Sequence, residues 1–157
     1  VVVIAPSGNE ATMTVTFVDE APPRIHMSAP VERRPRVKSW SKRTRRTKLR
    51  TLAFARSGDK GDTCNVGLLA RSPEIYDWLR ETLTPPVVKR FFTGIVKGKV
   101  TRHELHNLNA LNFLMERSLG GGGTVSLMLD PQGKTLSQAL LEMEVDAPVA
   151  IIPKGGA

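Results

Sequence analysis

The stretch LRTLAFARSGDKGDTCNVGLLA, residues 49–70, decides the fold. Two apolar runs flank a cluster of turn-forming residues, Ser57-Gly58-Asp59-Lys60-Gly61-Asp62. Glycine enters backbone conformations closed to other residues, and an aspartate side chain bonds its own backbone two residues on, so such a cluster reverses the chain. The spacing predicts strands over residues 49–56 and 63–70 joined by that turn, an antiparallel pair.

Working outward, Ser72-Pro73-Glu74 combines a capping hydroxyl, a first-turn proline and an early acid, which predicts a helix start. Ile75, Trp78, Leu79 and Leu83 then recur on one helical face. Pro85-Pro86 ends that helix, and residues 87–92 predict a further turn or two. Residues 97–105 read as a third strand. Leu108, Leu111, Phe113, Leu114 and Met115 predict a helix over residues 107–118, ended at Gly120. Residues 125–129 read as a strand, Asp130-Pro131-Gln132-Gly133 as a turn, and residues 140–145 as a last strand. Two strands, helix, strand, helix and further strands define an α+β domain over residues 49–146, its sheet covered by helices on one face.

Upstream, residues 1–5 and 11–18 are strand-like and flank Pro6-Ser7-Gly8-Asn9. Met13, Val15 and Phe17 alternate with Thr12, Thr14 and Thr16, so residues 1–20 predict a β-hairpin. A lone hairpin is marginal in water and needs something to pack on. The chain opens at Val1 without an initiator Met, and the hairpin is expected to be the tail of an N-terminal region of a longer or processed protein. Pro22-Pro23, Pro30 and Pro35 make residues 21–48 an extended linker. Residues 147–157 read as a tail.

A chain of 157 residues, 40% hydrophobic and 24% charged, is long enough to bury a core. No apolar run approaches the roughly 18 residues that a membrane-spanning helix needs. The single Cys64 excludes an internal disulfide and a cysteine-rich zinc site, so a reducing intracellular compartment is expected, the cytoplasm or the mitochondrial matrix.

The net charge of +8 is unevenly spread. Ten of the 23 Lys/Arg are Arg33, Arg34, Arg36, Lys38, Lys42, Arg43, Arg45, Arg46, Lys48 and Arg50, with no acid among them; the other 13 face 15 Asp/Glu, a net −2. A mildly acidic body thus carries a basic strap with Trp40 at its centre. Cations with one stacking ring suit a nucleic-acid backbone such as RNA, an anionic lipid surface, or an acidic groove on another protein subunit. A remainder of −2 is too little to neutralise ten cations. The strap is therefore expected to run extended against a partner rather than fold back on its own domain.

The turn cluster is the first site candidate. Gly58 and Gly61 could turn backbone N–H groups toward an anion, whereas Asp59 and Asp62 favour a cation or Asx turns. Arg56, Ser57, Lys60 and Asn65 add polarity beyond what a hairpin turn needs, against the plainer reading of a shaped hairpin. The four glycines at 120–123 follow a predicted helix and precede a strand, the reverse of a phosphate-binding loop. Helix capping or close backbone approach accounts for them, with Gly121 and Gly122 as the candidates for approach to a ligand. Asn109 and Asn112, three apart on the predicted helix, share a face and could bind a substrate carbonyl or the glycine loop. The turn cluster and the glycine loop are expected to meet near these two asparagines.

His103-Glu104-Leu105-His106 lacks the helical zinc spacing and reads as a polar strand edge, so no metal is expected. Cys64 has no neighbouring base and reads as a small core residue. Neither a Ser-His-Asp order nor a GxSxG elbow occurs, so no catalytic residue is identified and no cofactor is expected.

Three ordered stretches resemble one known family: residues 55–63 (ARSGDKGDT), residues 107–113 (NLNALNF) and residues 119–124 (LGGGGT). Together they are similar to the C-terminal domain of the acyclic terpene utilisation (AtuA-like) family over residues 49–146. The resemblance implies a ferredoxin-like fold and a setting in terpenoid and acyl-CoA catabolism, as an assembly or substrate-binding module. It implies no catalytic residue. The basic strap is not part of the resemblance and supports a second reading: a non-enzymatic accessory subunit of a large organellar assembly, such as a ribosome or respiratory complex, anchored by its linker.

Overall fold

The computed structural model describes residues 2–4, 10–12, 39–40 and 42–154. The chain divides into two units, Val1–Val31 and Glu32–Ala157. In the first, β1 (Val2–Ile4) pairs antiparallel with β2 (Glu10–Thr12), Val2 opposite Thr12. The alternation over residues 13–18 lies outside the described residues.

The second unit is built on a four-stranded antiparallel sheet. Its strands are β4 (Ala53–Lys60), β5 (Thr63–Ala70), β6 (Val100–Leu105) and β7 (Ala110–Met115), in the order β4-β5-β7-β6. β5 begins and ends where its pattern predicts, because Cys64, Val66, Leu68 and Ala70 alternate into the core. Helices α2 (Pro73–Thr82), α3 (Pro85–Phe91) and α4 (Leu136–Leu141) pack their apolar side chains into the same core. The Ser72 hydroxyl accepts from the Ile75 amide at 3.3 Å and caps α2, whose Ile75, Trp78 and Leu79 are buried. At the other end Arg102 on β6 donates to the carbonyls of Arg80 and Leu83, satisfying acceptors that the helix terminus leaves open. Together these elements make an α+β, ferredoxin-like domain with its helices on one face.

Four expectations change. Residues 49–52 form a helical turn, α1 (Leu49–Leu52), instead of opening a strand; Leu49 and Leu52 lie three apart on one face and are fully buried. β4 therefore starts later and runs through Ser57, Gly58, Asp59 and Lys60, which leaves Gly61-Asp62 as the turn. The helix predicted over residues 107–118 is strand β7 instead. Leu111, Phe113 and Met115 satisfy a period of two as well as Leu108, Leu111 and Met115 satisfy a helical one, and pairing on both sides selects the strand. A 3₁₀ turn, His106–Leu108, precedes it, and Asn109 at φ 50° redirects the chain into it. With no helix before Gly120, the capping role for the glycines falls. Third, residues 125–129 belong to no strand. Last, the terminal strand is β8 (Glu144–Pro148), preceded by α4, so residues 147 and 148 are ladder rather than tail and Ile152 is buried.

The strap also departs from its expectation. β3 (Thr44–Lys48) pairs antiparallel with β8 in a second, two-stranded sheet. Arg46 meets Glu144 at 2.6 Å, while Lys48 and Arg50 meet Glu142 at 2.6 and 2.7 Å. The Trp40 indole donates to Glu81 at 2.7 Å and packs partly against the core. The overall −2 of the remainder misled because acids concentrate where they matter: Glu144 and Asp146 lie on the strap's own partner strand, and Glu142 stands two residues before it. These exposed ion pairs add little stability each and chiefly favour one register. Lys42, Arg43 and Arg45 are exposed, and Arg33, Arg34, Arg36 and Lys38 lie outside the described residues.

Candidate functional site

Side chains alternate along a strand, so with Cys64, Val66 and Leu68 in the core, Asn65, Gly67 and Leu69 face the opposite side. Cross-strand partners share a face. Arg56, Gly67, Asn112 and His103 therefore form one row across all four strands on the face away from the core. On one side of it runs an apolar row, Phe54, Leu69, Ala110 and Leu105. On the other runs Gly58, Asn65, Leu114 and Thr101.

Two hollows occupy this face and share Arg56 and Gly67. One, of about 390 Å³, is polar and lined by Arg56, Ser57, Gly58, Asp59, Lys60, Asn65, Gly67 and Lys134. The other, of about 410 Å³, is lined chiefly by Phe54, Leu69, Leu105, Leu108, Ala110 and Asn112. Glycine at 58 and 67 is a matter of space. A Cβ at Gly67 would point at the Arg56 carbonyl and the Asn112 amide, and one at Gly58 would meet the Lys134 ammonium at 3.7 Å. A side chain at Gly67 would divide the floor that the two hollows share, and one at Gly58 would narrow the polar hollow.

The polar hollow carries three cations, Arg56, Lys60 and Lys134, against one carboxylate, Asp59. Lys60 leans on the Asp59 carbonyl at 3.0 Å. Lys134 is held by its backbone: its carbonyl accepts from the Ser57 hydroxyl, which itself accepts from the Ser137 amide, and its amide donates to Asp130 at 2.9 Å. Burial raises the Asp130 carboxyl, but bonds from the Thr135 hydroxyl and from the amides of Thr135, Lys134 and Gly133 outweigh it and hold it below its ordinary range. The anchor of this loop is thus a firmly ionised carboxylate.

The two loops read from the sequence do meet, through Asp62. One oxygen of its carboxylate accepts from the amides of Leu119 at 3.0 Å and Gly121 at 2.9 Å, and its carbonyl accepts from Ser118. Gly120, Gly121 and Gly122 all have positive φ, and a Cβ on Gly122 would lie 3.0 Å from the Gly61 carbonyl. These glycines allow close backbone approach. Asp62, Gly61, Gly121 and Gly122 thus make an internal clamp beside the polar hollow, outside its lining. Asn112 is on the open face, in the central row. Asn109 is at the far end of the sheet, its carbonyl accepting from Ala70, roughly 25 Å from Asp62 at about 3.3 Å per strand residue.

Lys134 and the apolar row were missed in the sequence. Gly67, inside a strand pattern, was the one available signal of an open floor. His103 joins the central row, whereas His106 turns to α2 and bonds the Tyr76 hydroxyl at 2.8 Å, with Glu104 3.6 Å away. Burial, then the Glu104 charge, raises the Tyr76 hydroxyl. Among the described residues no group of three His, Cys, Asp or Glu is placed to hold a metal. Cys64 is fully buried, and burial pushes its thiol up to about 11.

An antiparallel sheet with helices on one face, and a half-polar, half-apolar other face that no other described element covers, defines a ferredoxin-like domain with a ligand-sized surface. The chain belongs to the AtuA ferredoxin-like domain family, whose sequence model matches residues 47–146. No curated protein and no solved structure matches it. Among the described residues no helix is long and apolar enough to cross a membrane.

Proposed function

We propose that the domain is a substrate-binding module in terpenoid or acyl-CoA catabolism, taking an apolar chain with an anionic head on the open face of its sheet. The observation that carries this reading is the row of Arg56, Gly67, Asn112 and His103, with an apolar hollow on one side and a cationic one on the other. A chain would lie along Phe54, Leu69, Leu105 and Leu108, and a carboxylate head, or the accepting carbonyl oxygen of a thioester, would meet Arg56, Lys60 and Lys134. Each apolar contact is non-directional, while the charge-assisted bonds at the head fix polarity and select acids over alcohols. The apolar row offers only a few side chains, far short of the roughly 800 Å² per partner of a stable protein interface, which favours a small ligand.

The test is calorimetric titration with an isoprenoid carboxylate, its CoA thioester and the matching alcohol. The acid and thioester should bind and the alcohol should bind at least tenfold more weakly. Arg56→Ala should cost the acid roughly tenfold, about 1.4 kcal/mol, in line with a charged hydrogen bond. Equal affinity for acid and alcohol refutes the reading. The accessory-subunit reading draws on the strap, and the pairing of Arg46, Lys48 and Arg50 with the domain's own acids reduces what the strap offers a partner.

A further inference from the structure

We propose that β6 is a self-pairing edge: two copies of this chain join their β6 strands antiparallel about a two-fold axis at His103, which continues the four-stranded sheet into that of the second copy. β6 is the last strand of its sheet, and among the described residues no backbone group of residues 100–105 bonds to anything but β7. The opposite edge, β4, is covered, since its Ser57 hydroxyl bonds the Lys134 carbonyl and the Ser137 amide. An open edge offers unpaired N–H and C=O groups to another strand, and proteins blunt such edges with lysine, proline or a bulge. Just upstream, Lys97, Lys99 and a bulge at Gly98 opposite Glu116 do this, yet residues 100–105 hold neither lysine nor proline.

The ladder fixes which groups are open. The Glu116 amide donates to the Lys99 carbonyl at 2.9 Å. Alternation then turns the backbone of Thr101, His103 and Leu105 toward β7, and that of Val100, Arg102 and Glu104 outward. Two copies of this edge pair only with outward residues opposite outward ones, so the axis falls on Arg102, His103 or Glu104.

Charge selects among these registers. An axis at Arg102 sets that cation against its own copy, and an axis at Glu104 does the same for that acid; like charges directly opposite destabilise a ladder. An axis at His103 sets Arg102 against Glu104 of the second copy, twice over, with about four main-chain hydrogen bonds between them. The surroundings are balanced as well: Arg102 meets Glu104 at 2.6 Å and Arg80 meets Asp77 at 3.8 Å within each copy, so the two approach without net repulsion. Main-chain bonds give such a pair its affinity, and the side chains give it register. On the open face, the row that ends at Leu105 then runs on into Thr101 and Leu114 of the second copy. The pairing stands on the edge alone and does not depend on what that face binds.

Sedimentation velocity of the full chain at about 100 μM, roughly a hundredfold above a Kd of about 1 μM, should give a dimer. Glu104→Lys sets two cations opposite each other and should raise Kd at least tenfold. Because Glu104 also meets Arg102 within its own chain, a cysteine pair reads the register separately. His103→Cys places two Cα atoms about 4.5 Å apart across the axis, within disulfide reach, whereas the stagger holds those of Leu105→Cys about 13 Å apart. Mild oxidation should link the first variant into a covalent dimer and leave the second unlinked, with the native Cys64 fully buried in both. A monomeric chain at that concentration, a dimer indifferent to Glu104→Lys, or linkage not confined to His103→Cys overturns the proposal. Should Glu104→Lys fail to fold, the cysteine pair decides alone.

Discussion

Replacing Asp62 by Ala separates a structural aspartate from a ligand-binding one. The side chain accepts two amide bonds, from Leu119 and Gly121. A bond to a charged group contributes about 1.5–3 kcal/mol net. Leu119 is fully buried, so its orphaned amide bears most of the desolvation cost, whereas Gly121 is exposed and regains water. The sum is about 2–4 kcal/mol, which in a chain of this size lowers Tm by roughly 5–15 °C. Asp62→Asn keeps an accepting oxygen without the charge and should lose about half as much. Urea unfolding, with midpoint and slope fitted together, measures both. Wild type, Asn and Ala should rank in that order. An Ala variant within about 0.5 kcal/mol of wild type, the range of an unremarkable surface change, would refute the clamp and return Asp62 to the ligand-site reading.

Two further outcomes follow from burial and pairing. A segment beginning at Lys42 should melt cooperatively, and one beginning at Leu49 should melt at a distinctly lower temperature, because removing β3 uncovers β8 and its buried Ala147; equal melting temperatures would show that β3 contributes nothing. Cys64 should resist alkylation at pH 8. Its thiol rises from 9.0 to about 11, which alone leaves about 100-fold less thiolate than in the unfolded chain. Because that pKa is raised on folding, the associated stability is complete below pH 9.0 and is lost as pH rises toward 11. Iodoacetamide labelling with and without urea reads the first, and native labelling as fast as unfolded would place the thiol outside the core.

Elements governed by local signals were legible in the sequence. Ser72 capped α2 where a hydroxyl before Pro73 should, and the alternation from Cys64 to Ala70 set β5. β7 was not, because Leu111, Phe113 and Met115 fit a period of two while Leu108, Leu111 and Met115 fit a helical one, and only neighbours on both sides decide between them. Nor was β3, since Arg46 finds Glu144 from 98 residues away and no local window holds both. The site divides the same way. That Asp62 would meet the glycine loop followed from residues whose local structure asked for less than was present. The apolar half of the open face did not, because Phe54 and Leu69 read as core until it is known which face the helices cover.

The β3–β8 ladder has a consequence for biosynthesis. At ordinary elongation rates of about 5–20 residues per second, the ribosome needs roughly 5–20 s between making the first strand and making its partner. Through that interval β3 offers open ladder groups and a run of cations beside a ribosomal surface rich in phosphate. Closure of this ladder therefore waits for β8, and until then the nascent Arg45 and Arg46 are available to polyanions that the finished domain meets with Glu144 already in place.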